Sequence, residues 1–508
     1  MRTQDNTYII VQAGGKGTRL GHLTANKPKA LVPVDNLPML FHLFRKYPRS
    51  KYIIIGDYKY EVLARYLAAF APVEYRLVRA TGHAGTCAGL SQAVQKLPDN
   101  EPFMLIWSDL ILPESFTLPK EPGDYIGIAK DFPCRWKYED GVFTEERSDS
   151  FGVAGLFVFH EKSALENVPE DGELVRWLAE TGLPFQSLPL YRVKEYGLLS
   201  EFKKIESARC RPFNRTYIED GYFVKEPIDT QGEALAAREA SWYRKVHDQH
   251  FTNIPEIASY EPLKMEFING KAIYEYENLS AERKKELLGQ IVGCLKSVQG
   301  LESVPSDRES YNEAYIGKTF KRLEKVRELV PFAKDEYVTV NGRRCRNVFF
   351  CRKELERRIG TYFPDRFKLI HGDCTFSNMM LRDDCSPVLI DPRGYFGTTE
   401  LYGDPAYDWA KLYYSVVGNY DQFNRKRFRL DIGETEVTLD IASNGWEEME
   451  SEFFRLLADE VSPAQIHLLH AIIWLSLTTY TWEDYDSVCG AFYNGLYYLE
   501  EAFNEEVL

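Results

Sequence analysis

The chain has 508 residues, enough for about three domains at roughly 150 residues each. Its 44% hydrophobic and 27% charged residues, with 34 Gly and 25 Pro, exclude collagen-like, low-complexity and wholly disordered chains. A net charge of −14 excludes a broad duplex-DNA face, which needs a basic footprint; small anionic ligands can still be met by a local Lys/Arg cluster. The nine cysteines are scattered, with no Cys-x-x-Cys pair and no Cys/His set at metal-ligand spacing. That pattern reads as reduced thiols rather than a disulfide framework. The first residues lack a basic region followed by an apolar stretch, and no apolar run of about 18 residues occurs. The expectation is a cytoplasmic protein with small-molecule substrates, no nucleic-acid partner and no membrane partner, with homo-oligomerisation left open.

The first 110 residues alternate strand and helix. An apolar run at 8–11 ends in a Gly-rich turn, and 38–47 has helical spacing. A strand at 52–55 ends at Gly56-Asp57 and is followed by an amphipathic helix at 60–70. A strand at 75–78, a helix at 86–96 and a strand at 103–107 ending at Ser108-Asp109 come next. Short apolar strands separated by helices imply a mostly parallel sheet covered on both faces. Such sheets bind ligands at the carboxyl ends of their strands, where the Gly-rich turn and Asp109 fall. A further strand is read at 151–159, and 206–214 reads as a connector.

A new pattern then begins. Residues 215–218, the Asp220-Gly221 turn and 222–226 form a hairpin, followed by a helix at 232–246. Helical patterns dominate 280–330 and 446 to the end. Between them lie a strand at 368–370, a polar loop, and a strand at 388–390 ending at Asp391. The boundary is placed at about 210, giving domains 1–210 and 211–508. The second has a small lobe of about 211–270 and a mainly helical lobe of about 271–508.

The loop Gln12-Ala13-Gly14-Gly15-Lys16-Gly17-Thr18-Arg19-Leu20 follows the first strand. Glycines let successive N–H groups turn inward to cradle phosphates, and Arg19 adds a bidentate cation. Lys27-Pro28-Lys29 follows about ten residues on, and Asp109 can hold Mg²⁺. The combination resembles the nucleotidyltransferases that make NDP-sugars and CDP-alcohols, with their Gly-Gly-x-Gly-Thr-Arg-Leu loop, Pro-Lys pair and strand-closing Asp. The resemblance covers roughly 7–205. It implies a Rossmann-like fold in which Gly14, Gly15, Gly17 and Thr18 bind the nucleotide. Arg19 and Lys29 would act as the catalytic cations, and Asp109 as a Mg²⁺ ligand. Glu195, in Glu195-Tyr196-Gly197-Leu198-Leu199-Ser200-Glu201-Phe202, takes the place of the second ligand; Glu replaces the family's Asp, and Leu198-Leu199 replace Thr-Pro. Gly85-Thr86 resembles the stretch that lies below the base, in the form typical of sugar-phosphate members. A phosphate nucleophile is already ionised at neutral pH, so no general base is needed.

The segment His371-Gly372-Asp373-Cys374-Thr375-Phe376-Ser377-Asn378 carries the second signal. Asp373 and Asn378 are five apart, and Asp391 follows after a strand. One carboxylate to accept a hydroxyl proton, with an amide and a second carboxylate for Mg²⁺, suits phosphoryl transfer. The segment resembles the aminoglycoside phosphotransferase and choline kinase superfamily over about 215–500. That resemblance implies a two-lobed, protein-kinase-like α+β domain. Asp373 would be the catalytic base, Asn378 and Asp391 the Mg²⁺ ligands, and His371 a shaper of the loop. Lys225 would bind the ATP phosphates with Glu239 as its ion-pair partner, Glu233 being the weaker choice. Residues 263–268 would form the adenine hinge, and Asp408 would be structural. No Gly-rich loop precedes Lys225; the residues there are Arg211-Pro212-Phe213-Asn214. Trp474, Tyr480, Trp482 and Tyr485 cluster with Glu483, Asp484 and Asp486, a set that can cage an amine, stack on a sugar, or simply pack helices.

Together the two halves imply a bifunctional enzyme using Mg²⁺, ATP and a second NTP (CTP, UTP or GTP). A kinase phosphorylates a small alcohol, with a sugar at its anomeric hydroxyl as the leading acceptor, and a nucleotidyltransferase converts the phosphate into an NDP-sugar for a surface glycan or cell-wall precursor. The alternative is choline, or another amino alcohol or polyol, giving a CDP-alcohol. Rivals are a regulatory module with one half inactive and an aminoglycoside-resistance kinase.

Overall fold

The computed structural model describes residues 7–80, 82–196 and 214–505. The connector at 206–213 and the stretch after Tyr196 in the Glu195 motif lie outside the described residues. The chain divides into two compact units: Met1–Ala208 with Trp482–Asp486, and Arg209–Thr481 with Ser487–Leu508.

The first unit is built on a nine-stranded sheet. Its elements are β1 (Tyr8–Gln12), α1 (Met39–Lys46), β2 (Lys51–Gly56), α2 (Tyr60–Phe70), β3 (Tyr75–Arg79), α3 (Leu90–Gln95), β4 (Phe103–Trp107), β5 (Tyr125–Ala129), β6 (Gly152–Phe159), α4 (Leu174–Thr181) and β7 (Gln186–Leu190). The neighbours run β6-β4-β1-β2-β3. β1 pairs in parallel with β2 on one side and with β4 on the other, in register Gln12↔Trp107. The strand order therefore reverses between β1 and β4, so the loops after these two strands open onto the crevice where such sheets take ligands. The Ile/Val/Leu runs of β1, β2 and β4 are buried because helices cover both faces, as expected for strands of a parallel sheet. The helix read at 86–96 begins only at Leu90, because Gly89 precedes it in a left-handed conformation (φ 74°).

Trp482–Asp486 belong to this unit. The Trp482 ring packs 5.5 Å from Phe41 and 6.0 Å from Phe70. The Lys27 ammonium, almost wholly buried, is held by Asp484 at 2.9 Å and Asp486 at 2.5 Å. For these acids and Trp482 the sequence leaves open caging an amine, stacking on a sugar and plain helix packing. The ion pair takes Asp484 and Asp486 out of the first of these roles. Trp474 is fully buried and donates to His470 at 2.9 Å, so it is a packing residue.

In the second unit a four-stranded antiparallel sheet joins β8 (Asn214–Glu219), β9 (Tyr222–Pro227), β10 (Ile257–Tyr260) and β11 (Leu263–Glu266), in the order β8-β9-β11-β10. Helix α5 (Thr230–Asp248) follows β9 and is capped by the Asp229 carboxylate, which accepts from the Gly232 N–H at 2.7 Å. The larger lobe contains α6 (Ala281–Leu301), α7 (Lys318–Val326), α8 (Pro405–Val416) and α9 (Pro463–Leu477). It also holds a four-stranded sheet of Tyr337–Val340, Arg343–Arg346, Phe428–Ile432 and Glu436–Ile441, which the sequence reading did not contain. No described helix is long and apolar enough to cross a membrane.

Two buried carboxylates tie this lobe together. Asp404 caps α8, accepting from Ala406 N–H at 3.0 Å and from the Tyr315 hydroxyl at 2.8 Å. Asp421 accepts from Ser377 N–H at 3.1 Å. Burial pushes both carboxyls up to about 6. A raised carboxyl contributes stability that is fully present below its unfolded-state value and is lost as pH rises through the folded-state value. Stability should therefore fall between about pH 4 and 6 on account of these groups. Urea unfolding of Asp404→Asn, which keeps the cap, should show a flatter slope than wild type over that window; an identical slope would contradict the assignment.

Candidate active sites

In the first unit, the Gly-rich loop leaves the end of β1 and is pinned by its own Leu20. That side chain is fully buried in a small cluster with Val32, Val34, Met39 and Tyr196. Gly17 adopts φ 61°, and a Cβ there would stand 3.2 Å from the Cβ of Lys29, so the turn needs glycine. The Lys29 N–H donates to the Gly15 carbonyl at 3.2 Å, which fixes the Pro28-Lys29 segment against the loop. Gly14 abuts the β2 end, its carbonyl accepting from the Tyr58 N–H at 3.3 Å. Thr18 and Arg19 are exposed on the first turn of the 3-10 helix Thr18–Thr24.

The Lys29 ammonium meets Asp109 Oδ2 at 2.5 Å. The other oxygen, Asp109 Oδ1, is buried with no hydrogen-bond partner among the described residues. Glu195 lies on the short strand Lys194–Glu195, opposite Leu110, while the Tyr196 N–H donates to the Asp109 carbonyl at 3.2 Å. Asp109, in the turn before the strand Leu110–Ile111, and Glu195, on the strand paired with it, thus lie one residue apart along this short ladder. The orphaned Asp109 oxygen is a hard donor of the kind that suits Mg²⁺. Gly85 and Thr86 sit in the turn before α3. The Thr86 hydroxyl accepts from the Leu174 N–H at 2.7 Å, and its carbonyl accepts from the Gln12 amide, so this residue locks α4 to the end of β1.

In the second unit, Lys225 on β9 is bracketed by Glu239 at 2.6 Å and Asp391 at 2.8 Å. Burial works against its charge, but Asp391 and Glu239 outweigh it and hold the ammonium above the ordinary lysine value. Glu239, not Glu233, is thus the partner. Asn378 donates its amide to the Asp373 carbonyl at 2.8 Å and to the carboxylate at 2.9 Å. This leaves the Asn378 amide oxygen as a candidate donor atom for a cation, with the Asp391 carboxylate as a second, and the two donor types suit Mg²⁺. Asp391 itself adopts φ 55°, a conformation rare outside glycine and often found where function fixes the backbone.

The loop is shaped from beneath. Fully buried Asp408 on α8 accepts from the N–H groups of His371 at 2.9 Å and Gly372 at 2.7 Å. His371 is buried, and burial lowers its pKa, so the ring is neutral. Its Nε2–H donates to the Ile390 carbonyl at 3.0 Å, and its Nδ1 accepts from the Asp373 N–H at 3.2 Å. One imidazole thereby joins the Asp373 loop to the segment that ends at Asp391.

Two residues were missed in the sequence. Lys411 holds Asp373 Oδ1 at 2.9 Å, and the Arg393 N–H donates to the His371 carbonyl at 2.8 Å. Lys411 lies three residues after Asp408 on α8, so the face that carries Asp408 to the loop carries Lys411 too. That spacing was the signal available.

Asp408→Ala leaves two buried N–H groups unpaired and should cost about 2–6 kcal/mol, at about 1–3 kcal/mol for each. The midpoint of urea unfolding should fall accordingly, and an unchanged midpoint would contradict this role for Asp408.

Residues 213–450 match the phosphotransferase enzyme family, and residues 9–119 match the MobA-like NTP transferase domain. Among curated proteins, a UTP–glucose-1-phosphate uridylyltransferase, AglF, of Haloferax volcanii is 37% identical over 108 residues, 20% of this chain and 43% of that protein. The mannose-1-phosphate guanylyltransferase catalytic subunit beta of Dictyostelium discoideum is 30% identical over 108 residues, 20% of this chain and 30% of that protein. The chain spans less than half the length of each of these relatives. Among solved structures, the inositol-1-phosphate CTP transferase from T. maritima is 17% identical and covers 39% of this chain and 91% of its own, with a TM-score of 0.33. The chain therefore carries one region, 9–119, that matches the MobA-like NTP transferase domain and is similar to sugar-phosphate nucleotidyltransferases, and a second, 213–450, that matches the phosphotransferase enzyme family.

Proposed function

We propose that the two domains, 1–210 and 211–508, catalyse successive steps on one small acceptor. The observation that carries this reading is chemical complementarity within one chain. The second domain is equipped to make a phosphate ester, and the first to use one as a nucleophile. In the kinase step the acceptor hydroxyl oxygen attacks the γ-phosphorus of ATP. ADP leaves, and Asp373 takes the hydroxyl proton. Lys225 binds the ATP phosphates, Glu239 holds Lys225, and Asn378 with Asp391 would hold Mg²⁺. In the second step a phosphate oxygen of the new ester attacks the α-phosphorus of an NTP and pyrophosphate leaves. Gly14, Gly15, Gly17 and Thr18 cradle the nucleotide, the Gly85-Thr86 turn supports its base, and Arg19 and Lys29 offset the growing phosphate charge. Asp109 and Glu195 would hold the metal there. At both sites Mg²⁺ supplies neutralisation of phosphate charge.

We take a sugar phosphorylated at its anomeric hydroxyl as the acceptor, and an NDP-sugar for surface-glycan or cell-wall assembly as the product. The named relatives act on glucose 1-phosphate and mannose 1-phosphate, which supports a sugar 1-phosphate. The amine alternative drew on the C-terminal acids, and two of these pair with Lys27.

The test is ³¹P NMR with Mg²⁺, ATP, CTP, UTP and GTP over pooled sugars, amino alcohols and polyols. An acceptor-dependent monophosphate should appear first, then a diphosphate diester with pyrophosphate. Asp373→Asn should abolish the first signal. Asp109→Asn should leave the monophosphate to accumulate. A monophosphate that no NTP consumes, with wild-type protein, would refute the coupled reading.

A further inference from the structure

The second domain gathers more positive charge around Asp373 than phosphoryl transfer from ATP calls on. Arg393 donates to the Tyr407 hydroxyl at 2.9 Å and to the Tyr395 hydroxyl at 3.0 Å. Arg322 on α7 donates to the Ser476 carbonyl at 2.5 Å and hydroxyl at 3.1 Å. Lys318 opens the same helix, directly after the π-helical turn Glu313–Gly317, and its ammonium stands 5.7 Å over the Tyr407 ring. Insertions of this kind in a helix recur at functional sites. Lys411 is the fourth cation, on Asp373, and Arg238 of α5 stacks 4.6 Å over the opposite partner of Arg393, the Tyr395 ring.

The partners that fix Arg393, Arg322 and Lys318 are phenols, a serine and a ring face, none of them a carboxylate, so no direct ion pair cancels the charge of the two guanidiniums. The carboxylates acting on the group are Asp373, already shared with Lys411 and Asn378, and exposed Glu313, which acts on Lys318 from a distance. The resulting potential acts on the neighbouring groups. Burial, then Arg393, Arg322 and Lys411, depress Lys318 well below the ordinary lysine value. Burial alone would raise Tyr395, yet Arg393, Arg322 and Arg238 bring it below the ordinary tyrosine value. Sheltered like charges are costly unless a counter-charge arrives. ATP does not call on this group: its phosphates have Lys225 from β9 and the Asn378/Asp391 pair. Lys318, Arg322 and Lys411 come instead from α7 and α8 of the helical lobe.

We propose that the acceptor is itself an anion, a small hydroxy compound bearing a carboxylate or a phosphate, which Arg393, Arg322 and Lys318 bind while its hydroxyl reaches Asp373. The inference deepens the kinase reading above and rests on it. The guanidinium fork of an arginine matches either group bidentately and fixes its orientation. A cationic acceptor such as choline would instead meet like charge.

A lysine footprint tests this on the full chain loaded with Mg²⁺ and a non-hydrolysable ATP analogue, so that the ATP phosphate positions are filled. Lys318 is acetylated under limiting reagent and read by mass spectrometry with malonate, inorganic phosphate or glycerol present. Malonate or phosphate should slow acetylation of Lys318 about tenfold, equivalent to about 1.4 kcal/mol of occupancy, and glycerol should not. Arg322→Gln should remove the protection and Arg322→Lys should restore part of it. Protection by malonate alone assigns a carboxylate acceptor; protection by phosphate alone assigns a phosphate ester. Unchanged labelling with both anions overturns the proposal. In turnover, hydroxy acids or sugar phosphates should exceed their neutral parents in kcat/KM by about tenfold or more. Neutral sugars outpacing their charged counterparts would overturn the anion site and leave the two-step reading intact. A charged acceptor that is phosphorylated but never carried to a diphosphate would do the reverse.

Discussion

A chain of net charge −14 that is to handle phosphates, as proposed, must keep its working cations from being neutralised by its own carboxylates, and much of the structure fits that constraint. At the first site Lys29 is paired, but with Asp109, a group that a metal can recruit. At the second, Lys225 sits between Glu239 and Asp391, so two carboxylates hold one ammonium in a position where a nucleotide can share it. Around Asp373 the solution differs. Arg393 and Arg322 are anchored on hydroxyl and carbonyl oxygens that fix direction without cancelling charge. Lys27 is the contrasting case: buried between Asp484 and Asp486, it is spent on structure.

Positioning is done by apolar anchors and buried acceptors rather than by the reacting groups. Leu20 and Tyr196 share one small apolar cluster, so the Gly-rich loop and the Glu195 strand are fixed by the same contact. Parallel pairing of β1 with β4 then sets Asp109 next to that loop. In the second domain, Asp408 satisfies two backbone N–H groups at the start of the loop, and neutral His371 links that loop to the Asp391 strand. Both ends of the Asp373–Asp391 span are thus held by Asp408 and His371, while Asp421 and Ser415 hold its middle at Ser377 and Phe376.

Much of this was legible in the sequence, for local reasons. Strands at 103–107 and a helix at 60–70 follow from unbroken apolar runs and clear periodicity, and the structure places them at those residues. The Asp373, Asn378 and Asp391 spacing, and the choice of Glu239 over Glu233 as partner of Lys225, were readable because loop and helix geometry fix them over short range. What escaped depends on tertiary packing. Arg393, Arg322 and Lys318 are ordinary-looking cations until folding brings the Asp391 loop to α7. The pairing of Asp484 and Asp486 with Lys27 spans more than 450 residues, and no local pattern encodes it. The sheet containing Tyr337–Val340 and Glu436–Ile441 joins strands almost a hundred residues apart by a parallel pairing, which is equally silent in sequence.

The central claim is that the phosphate installed by one domain is the phosphate used by the other. The most direct measurement supplies ATP labelled at its γ-phosphate, an unlabelled second NTP and an acceptor, and then locates the label in the nucleotide product. The account predicts label in the phosphoryl group next to the acceptor and none in the released pyrophosphate. An unlabelled nucleotide product, or label that ends only as free phosphate, would contradict it.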